Sequence, residues 1–306
     1  MTEISEAASL WGARHICPLR LRENEVHKVE IAGQPAALRL HRVGYQEAIS
    51  IRSELWWTQA LAEAGLPVPT PLAAADGQYL CRLATGRFAS VVSWVQGSPL
   101  GEAGIPLAGS PRQKCDRHHA VGQLVARIHR ATDLLHLPDW FARPAWGQAD
   151  LVGEAPLWGR FWDHPQLGEE DRAVLSAARD WLAARLADSA SPFGLIHADV
   201  LRENVFVNNG SLSLIDFDDS GYGYRWYDLG TVLSQDLYEP DYPELRSALI
   251  EGYASIAPVA ADEVDAFTLA RTLASVGWAA SRLDPGSPIQ KSHIARAVMM
   301  ARRQIG

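Results

Sequence analysis

G-L-I-H-A-D-V-L-R-E-N-V-F-V (Gly194–Val207) runs straight into N-N-G-S-L-S-L-I-D-F-D-D (Asn208–Asp219). Short apolar runs at Gly194–Ile196, Val205–Val207 and Leu212–Ile215 read as strands, the last two joined by a tight polar turn. His197, Asp199, Asn204 and Asp216 fall at strand ends and are expected to converge on one cleft.

Phosphoryl transfer asks little covalent chemistry of a protein. It needs metal ions that neutralise phosphate charge, a carboxylate near the acceptor hydroxyl and a cation on the phosphates. An Asp, an Asn five positions on and a second Asp on the next strand supply that set. Asp199 is placed to accept the hydroxyl proton or to orient the hydroxyl in line. Asn204 offers a neutral oxygen and Asp216 an anionic one, both hard ligands suited to Mg2+. Turn capping explains any one of these residues but not three at this spacing. Arg202, between base and metal ligand, is positioned to touch the transferring phosphate or to pair with Glu203. Asp218 and Asp219 read as surface solvation, or one of them as an aid to the metal. His197 reads as a packing and hydrogen-bonding residue that holds the loop, or else as a direct proton-transfer group.

Upstream, Glu25–Ile31 alternates as a half-buried strand, Gly33-Gln34-Pro35 makes a turn, and Ala36–His41 returns. Residues 46–64 form a helix that Gly65 ends, and Pro67, Pro69 and Pro71 forbid its continuation. Strands follow at 78–83 and 88–95. The Gly-, Ser- and Pro-rich stretch 96–112 marks a boundary. Beyond it come helices at 112–135, 169–186, 225–235, 242–256, 262–281 and 289–303, with a Trp-rich segment at 136–167. This order predicts an α+β chain: a small β-rich lobe over 1–96 for the nucleotide and a larger helical lobe over 97–306 for catalysis and the acceptor.

At 306 residues, 47% hydrophobic and 21% charged, the chain can bury a large core and is not disordered. A formal net charge of -8 disfavours nucleic acid or an anionic membrane as partner. Cys17, Cys81 and Cys115 are scattered and make neither a zinc motif nor a disulfide framework. Met1–Leu10 lacks a signal pattern and no apolar run reaches membrane-spanning length, so a cytoplasmic protein is expected.

In order along the chain, V-H-K-V-E-I, A-L-R-L-H-R, I-R-S-E-L-W-W, V-G-Q-L-V-A-R-I-H-R, L-I-H-A-D-V-L-R-E-N-V-F-V, L-I-D-F-D-D-S-G and Y-D-L-G resemble the aminoglycoside phosphotransferase-like enzymes. That group includes choline-type, homoserine and hydroxylysine kinases. The resemblance spans about Glu23 to Arg271. It implies a protein-kinase-like bilobal fold, ATP as donor, Asp199 as catalytic base and Asn204 with Asp216 as the metal pair. It also implies that Glu54 pairs with a strand cation, which here is Arg39 where kinases generally carry Lys. Ser93–Val95 resembles the hinge whose backbone holds adenine, Asp228 a position that brces the catalytic loop, and His129 a contact behind it. Two further departures stand out: Arg22-Glu23-Asn24-Glu25 carries no glycine at the phosphate loop, leaving Asn24 as a candidate there, and Ala198 stands where relatives often have Gly.

For the acceptor, Trp146, Trp158, Trp162, Tyr222 and Tyr224 are candidates to frame an amine or sugar ring, or else are core. Asp236, Glu239 and Asp241 are candidates to recognise an amine, or else are solvated helix ends. Three function classes stay open: a kinase of a small hydroxyl-bearing metabolite (amino acid, amino alcohol or amino sugar), a Ser/Thr protein kinase, and a non-catalytic nucleotide-binding module.

Overall fold

A computed structural model describes residues 2–21 and 24–306. Arg22 and Glu23 of the phosphate-loop reading lie outside the described residues. Two compact units divide the chain: residues 1–98 with 134–143 and 206–218, and residues 99–133 with 144–205 and 219–306.

The first unit is built on an antiparallel sheet in the order Arg14–Leu21, Glu25–Ile31, Gln34–Leu40, Phe88–Ser93, Pro71–Leu72, with Leu80–Arg82 also paired to Phe88–Ser93. Ala32 and Gly33 both take positive φ, 49° and 79°, and Ile31 pairs with Gln34. That is a two-residue hairpin turn matched to strand twist. It is tighter than the Gly33-Gln34-Pro35 turn expected, because Gln34 and Pro35 already belong to the returning strand. Strand alternation then sorts the side chains. Ala36, Leu38 and Leu40 join Val29, Ala89 and Val91 in a core that the helix Glu3–Leu10 closes with Ala7 and Ala8. Arg39 points to the opposite face, toward the helix Ala48–Glu63. The hairpin of Val205–Asn208 and Ser211–Leu214 turns through Asn209 and Gly210, both at positive φ. Leu214 N–H donates to the Pro67 carbonyl at 3.0 Å, and Phe217 packs edge-on against buried Trp57.

The second unit is mainly helical: Pro111–Asp133, Glu169–Ala187, Tyr227–Ser234, Tyr242–Ala254, Val264–Arg282 and Pro288–Ile305. A Cβ on Gly122 would sit 2.1 Å from the Leu249 carbonyl, and one on Gly252 2.0 Å from that of His119. The first and fourth of these helices therefore cross backbone to backbone. A small sheet in the order Ala145–Trp146, Gly221–Tyr224, Phe193–Ile196 carries the chain toward Asp199. Among the described residues no helix is long and apolar enough to cross a membrane, and the three cysteines are unbridged.

Buried histidines make the fold acid-sensitive. Burial lowers His27, His41, His129 and His164, and takes His293 down to about 4 with help from Arg296 and Arg271. Each stays neutral where the unfolded chain takes up a proton. Each thus contributes stability that is complete above the ordinary value of 6.5 and is lost as pH falls toward its folded value. For His293 that window runs from 6.5 to about 4, worth on the order of 3 kcal/mol in full. His118 opposes them: Asp236 outweighs burial and raises it, so its contribution is present below 6.5 and is lost as pH rises. The melting temperature is expected to fall between pH 7.5 and pH 5. A flat or rising profile in calorimetry would contradict this balance.

Candidate active site

Each unit carries several of the expected site residues, and each set is described within its own unit. In the first, Arg39 Nη2 donates to Glu54 Oε1 at 2.5 Å, with the Glu54 side chain 3% exposed. Arg39 Nη1 lies 3.8 Å from Asp216 Oδ1 and 3.9 Å from Asp218 Oδ1. Burial works against the guanidinium charge, but Glu54, Asp218 and Asp216 outweigh it and hold Arg39 above its usual range. Arginine at the lysine position therefore keeps the ion pair with the helix and faces two further carboxylates. Asp216 itself sits at φ 67°, a left-handed conformation that costs a non-glycine residue on the order of 1 kcal/mol.

Asp218 is buried rather than surface-solvated. Its carboxylate accepts from Asn24 Nδ2 at 3.1 Å and its carbonyl from Gln46 Nε2 at 3.3 Å. Arg143, which the sequence did not single out, binds the Phe217 and Asp218 carbonyls with one nitrogen and the Ser50 carbonyl and hydroxyl with another. It ties the D-F-D turn to the helix that carries Glu54. Ser93 closes the strand, its Oγ accepting from Thr70 N–H at 2.9 Å. The strand expected to reach Val95 stops at Ser93, so Val95 lies outside the ladder.

Arg39→Ala is expected to destabilise the protein by about 3–5 kcal/mol, because it strands a buried carboxylate. Arg39→Lys keeps the charge and is expected to recover at least half of that in urea unfolding. A loss under about 1 kcal/mol for Arg39→Ala would remove the pair from the account.

In the second unit, Asp228 at the start of the helix Tyr227–Ser234 organises the catalytic-type loop. Its carboxylate accepts from His197 N–H at 2.9 Å, Ala198 N–H at 2.7 Å and His129 Nε2 at 3.0 Å, all buried. A carboxylate only accepts, so His129 carries its proton on Nε2. Nδ1, 3.0 Å from the Tyr253 hydroxyl, then accepts from it. Burial opposes ionisation of Asp228, yet these donors outweigh it and hold its carboxyl below the usual range. Ala198 takes φ 65°, which explains why glycine suits this position: the demand is on backbone conformation as well as space. A Cβ on Gly230 would lie 2.4 Å from the Phe267 carbonyl carbon. The glycine of Y-D-L-G thus admits the helix Val264–Arg282, whose Arg271 follows Phe267 by one turn.

The loop presents Asp199, whose Oδ1 accepts from Arg271 Nη2 at 2.7 Å and whose Oδ2 accepts from Asn204 Nδ2 at 2.9 Å. His197 is fully buried and its Nδ1 accepts from Asp199 N–H at 3.2 Å, the loop-holding role read from the sequence. With both bonds of its Nδ2 directed at Asp199, Asn204 is left with Oδ1 as a buried acceptor that finds no partner among the described residues. A hard, neutral oxygen in that state fits a magnesium ligand.

Arg202 departs from the phosphate-contact reading. It is 4% exposed, with Nε and Nη2 on Asp236, Nη2 also on Glu239 and Nη1 on the Ile105 carbonyl. Four of its donor bonds are internal, so it braces the loop from behind. Asp236 and Glu239 are correspondingly buried, not solvated. Asp236 also accepts from His118, while Lys114 pairs with Glu239 and Asp241. Asp236 and Glu239 are thereby taken up by the protein's own cations, while Asp241 keeps a buried Oδ2 without a partner among the described residues. Of the aromatic candidates, Trp146 packs between Trp158 and Tyr227, Trp162 lies under Arg179, and Tyr224 donates to the Leu186 carbonyl. The Trp158 ring lies against Arg271, the residue that touches Asp199, at 4.7 Å.

A family model described as the phosphotransferase enzyme family matches residues 15–267. The homoserine kinase of Sinorhizobium medicae (strain WSM419) is 33% identical over 221 residues, covering 68% of this chain and 60% of that enzyme. The homoserine kinase of Brucella anthropi is 31% identical over 242 residues, covering 74% and 65%. The match thus spans less than two thirds of the length of either curated relative. Among solved structures, a microcompartment-associated aminopropanol kinase superposes with TM-score 0.85 at 28% identity, covering 99% of this chain and 97% of that one. An amicoumacin kinase bound to AMP-PNP and Ca2+ superposes at 0.78 with 19% identity, covering 99% and 92%, a likeness of fold. The α+β, protein-kinase-like architecture expected from the motifs is the one these structures share.

Proposed function

The chain belongs to the phosphotransferase enzyme family, and from that premise we propose that it is an ATP-dependent kinase of a small hydroxyl-bearing metabolite. The observation that carries this reading is the fixing of Asp199. Its two oxygens are held by Arg271 and Asn204 on a loop whose N–H groups are clamped by buried Asp228. A carboxylate held this way orients an acceptor hydroxyl and takes its proton as the hydroxyl oxygen bonds to the γ-phosphorus. The bond from that phosphorus to the bridging oxygen breaks, giving a phosphomonoester and ADP. Arg39, steadied by Glu54, supplies a phosphate contact, and the backbone at Ser93–Val95 an adenine contact. Asn204 through Oδ1 and Asp216 through its carboxylate are the residues that would hold Mg2+. Bound there, the ion neutralises phosphate charge. Homoserine kinase and aminopropanol kinase, the named activities of two similar proteins, both have small hydroxyl-bearing acceptors, which supports the acceptor class.

Coupled ADP release with MgATP, run against hydroxy amino acids, amino alcohols and amino sugars, tests the proposal. Acceptor-dependent turnover of at least about 1 s⁻¹ is expected for one of these classes. MgATP binding with no turnover on any of them, or label transfer only to a polypeptide, would overturn it.

A further inference from the structure

The helices Val264–Arg282 and Pro288–Ile305 bring a group of cationic and aromatic side chains together around the residue that holds Asp199. Arg271 is 5% exposed, gives Nη2 to Asp199 and lies against the Trp158 ring. The buried Tyr227 hydroxyl lies beside it, and neither Nε nor Nη1 of Arg271 makes a well-formed hydrogen bond among the described residues. Nor do the buried Nε1 of Trp158 and Nε of Arg296. Nδ1 of His293 is buried and unpartnered as well. Arg296 and His293 come from the second helix, which packs along the first, and the charge of Arg271 bears on both.

This arrangement does not serve stability. A buried donor without an acceptor costs about 1–3 kcal/mol, more when it is charged, and like charges gathered in a dry site repel. The carboxylates that face the group are Asp199 on Arg271 and Glu203, more remotely, on Arg296. Guanidinium and indole N–H groups, left over and gathered beside a group that meets the acceptor, make a receptor for a small anion. Of the candidate carboxylates in the same unit, Asp236 and Glu239 are engaged with His118, Arg202 and Lys114, and Asp241 accepts from Lys114 through Oδ1 alone.

Resting on the kinase reading above, we propose that the acceptor is a small hydroxy acid, its carboxylate received by Arg271, Arg296 and the Trp158 indole while its hydroxyl meets Asp199. These three residues then set the substrate class. They select a carboxylate-bearing acceptor over the amino alcohol of equal length that lacks it.

The test pairs each three- to five-carbon hydroxy amino acid with its decarboxylated amino alcohol and compares kcat/KM in the coupled assay. The acid is expected to be preferred at least 100-fold, and Arg296→Met to reduce that preference at least tenfold through KM for the acid. A 2-amino acid without a hydroxyl is expected to raise the melting temperature of the wild-type protein where the matching alkylamine does not. Efficient turnover of amino alcohols with no preference for acids overturns the proposal and leaves the kinase reading standing. So does an Arg296→Met variant whose KM for ATP rises while the acid-to-alcohol ratio holds, since the cations would then belong to the nucleotide phosphates. Absence of turnover with every acceptor overturns both readings. Should Arg296→Met fail to fold, the wild-type ratio and the melting shift decide alone.

Discussion

Asp199→Asn is expected to lower acceptor-dependent turnover by about 10²–10⁴-fold while leaving MgATP affinity within a few-fold. The substitution keeps the shape of the side chain and one acceptor oxygen but removes the charge. It takes away the group that receives the hydroxyl proton and half of the pair with Arg271, whose side chain is 6% exposed. Some instability accompanies it, on the order of 2 kcal/mol, because a charged hydrogen bond is lost beside a buried cation. Steady-state kinetics, nucleotide titration and a melting curve on one preparation separate these effects. Turnover within tenfold of wild type would remove Asp199 from the reaction.

Asp228→Ala is the second large effect. Asp228 touches neither nucleotide nor acceptor in this account, and it acts as a positioning residue. Its removal strands His197 N–H, Ala198 N–H and His129 Nε2 in a site without water access. At about 1–3 kcal/mol for each unsatisfied buried donor, partly relieved by relaxation, a loss of about 3–5 kcal/mol is expected in urea unfolding. The loop also loses the acceptor that holds Ala198 at positive φ, so kcat falls more than KM for ATP rises. Asp228→Asn keeps one acceptor oxygen and is expected to fall between the two in stability. Stability within about 1 kcal/mol of wild type for Asp228→Ala would show that the loop is held by something else.

What the sequence disclosed follows the range of the interactions. Asp199 and Asn204 are five residues apart, and the bond between them is local, so their spacing is written in the chain. The Asn209-Gly210 turn is similarly local, and so are the long helices, whose apolar periodicity and Gly or Pro stops placed their ends within a few residues. Arg271 reaches Asp199 across 72 positions, and Arg143 reaches Phe217 across 74. No periodicity records such pairings, and an arginine inside a helix reads as solvated until its neighbours are known. Arg202 misled for the same reason. Its position in the loop suggested the phosphate, but partners more than thirty residues away turn it inward. The strand Gly221–Tyr224 escaped notice because two glycines in four residues weaken a strand signal. The helix Glu3–Leu10 escaped because eight residues carry little more than two turns of periodicity.

Phosphorus-31 NMR of the protein incubated with MgATP and a hydroxy amino acid tests the central claim most directly. A phosphomonoester resonance is expected to grow in step with ADP and to be absent with Asp199→Asn. Inorganic phosphate appearing in place of that resonance, or an unchanged ATP spectrum across hydroxy acids, amino alcohols and amino sugars, would contradict the account.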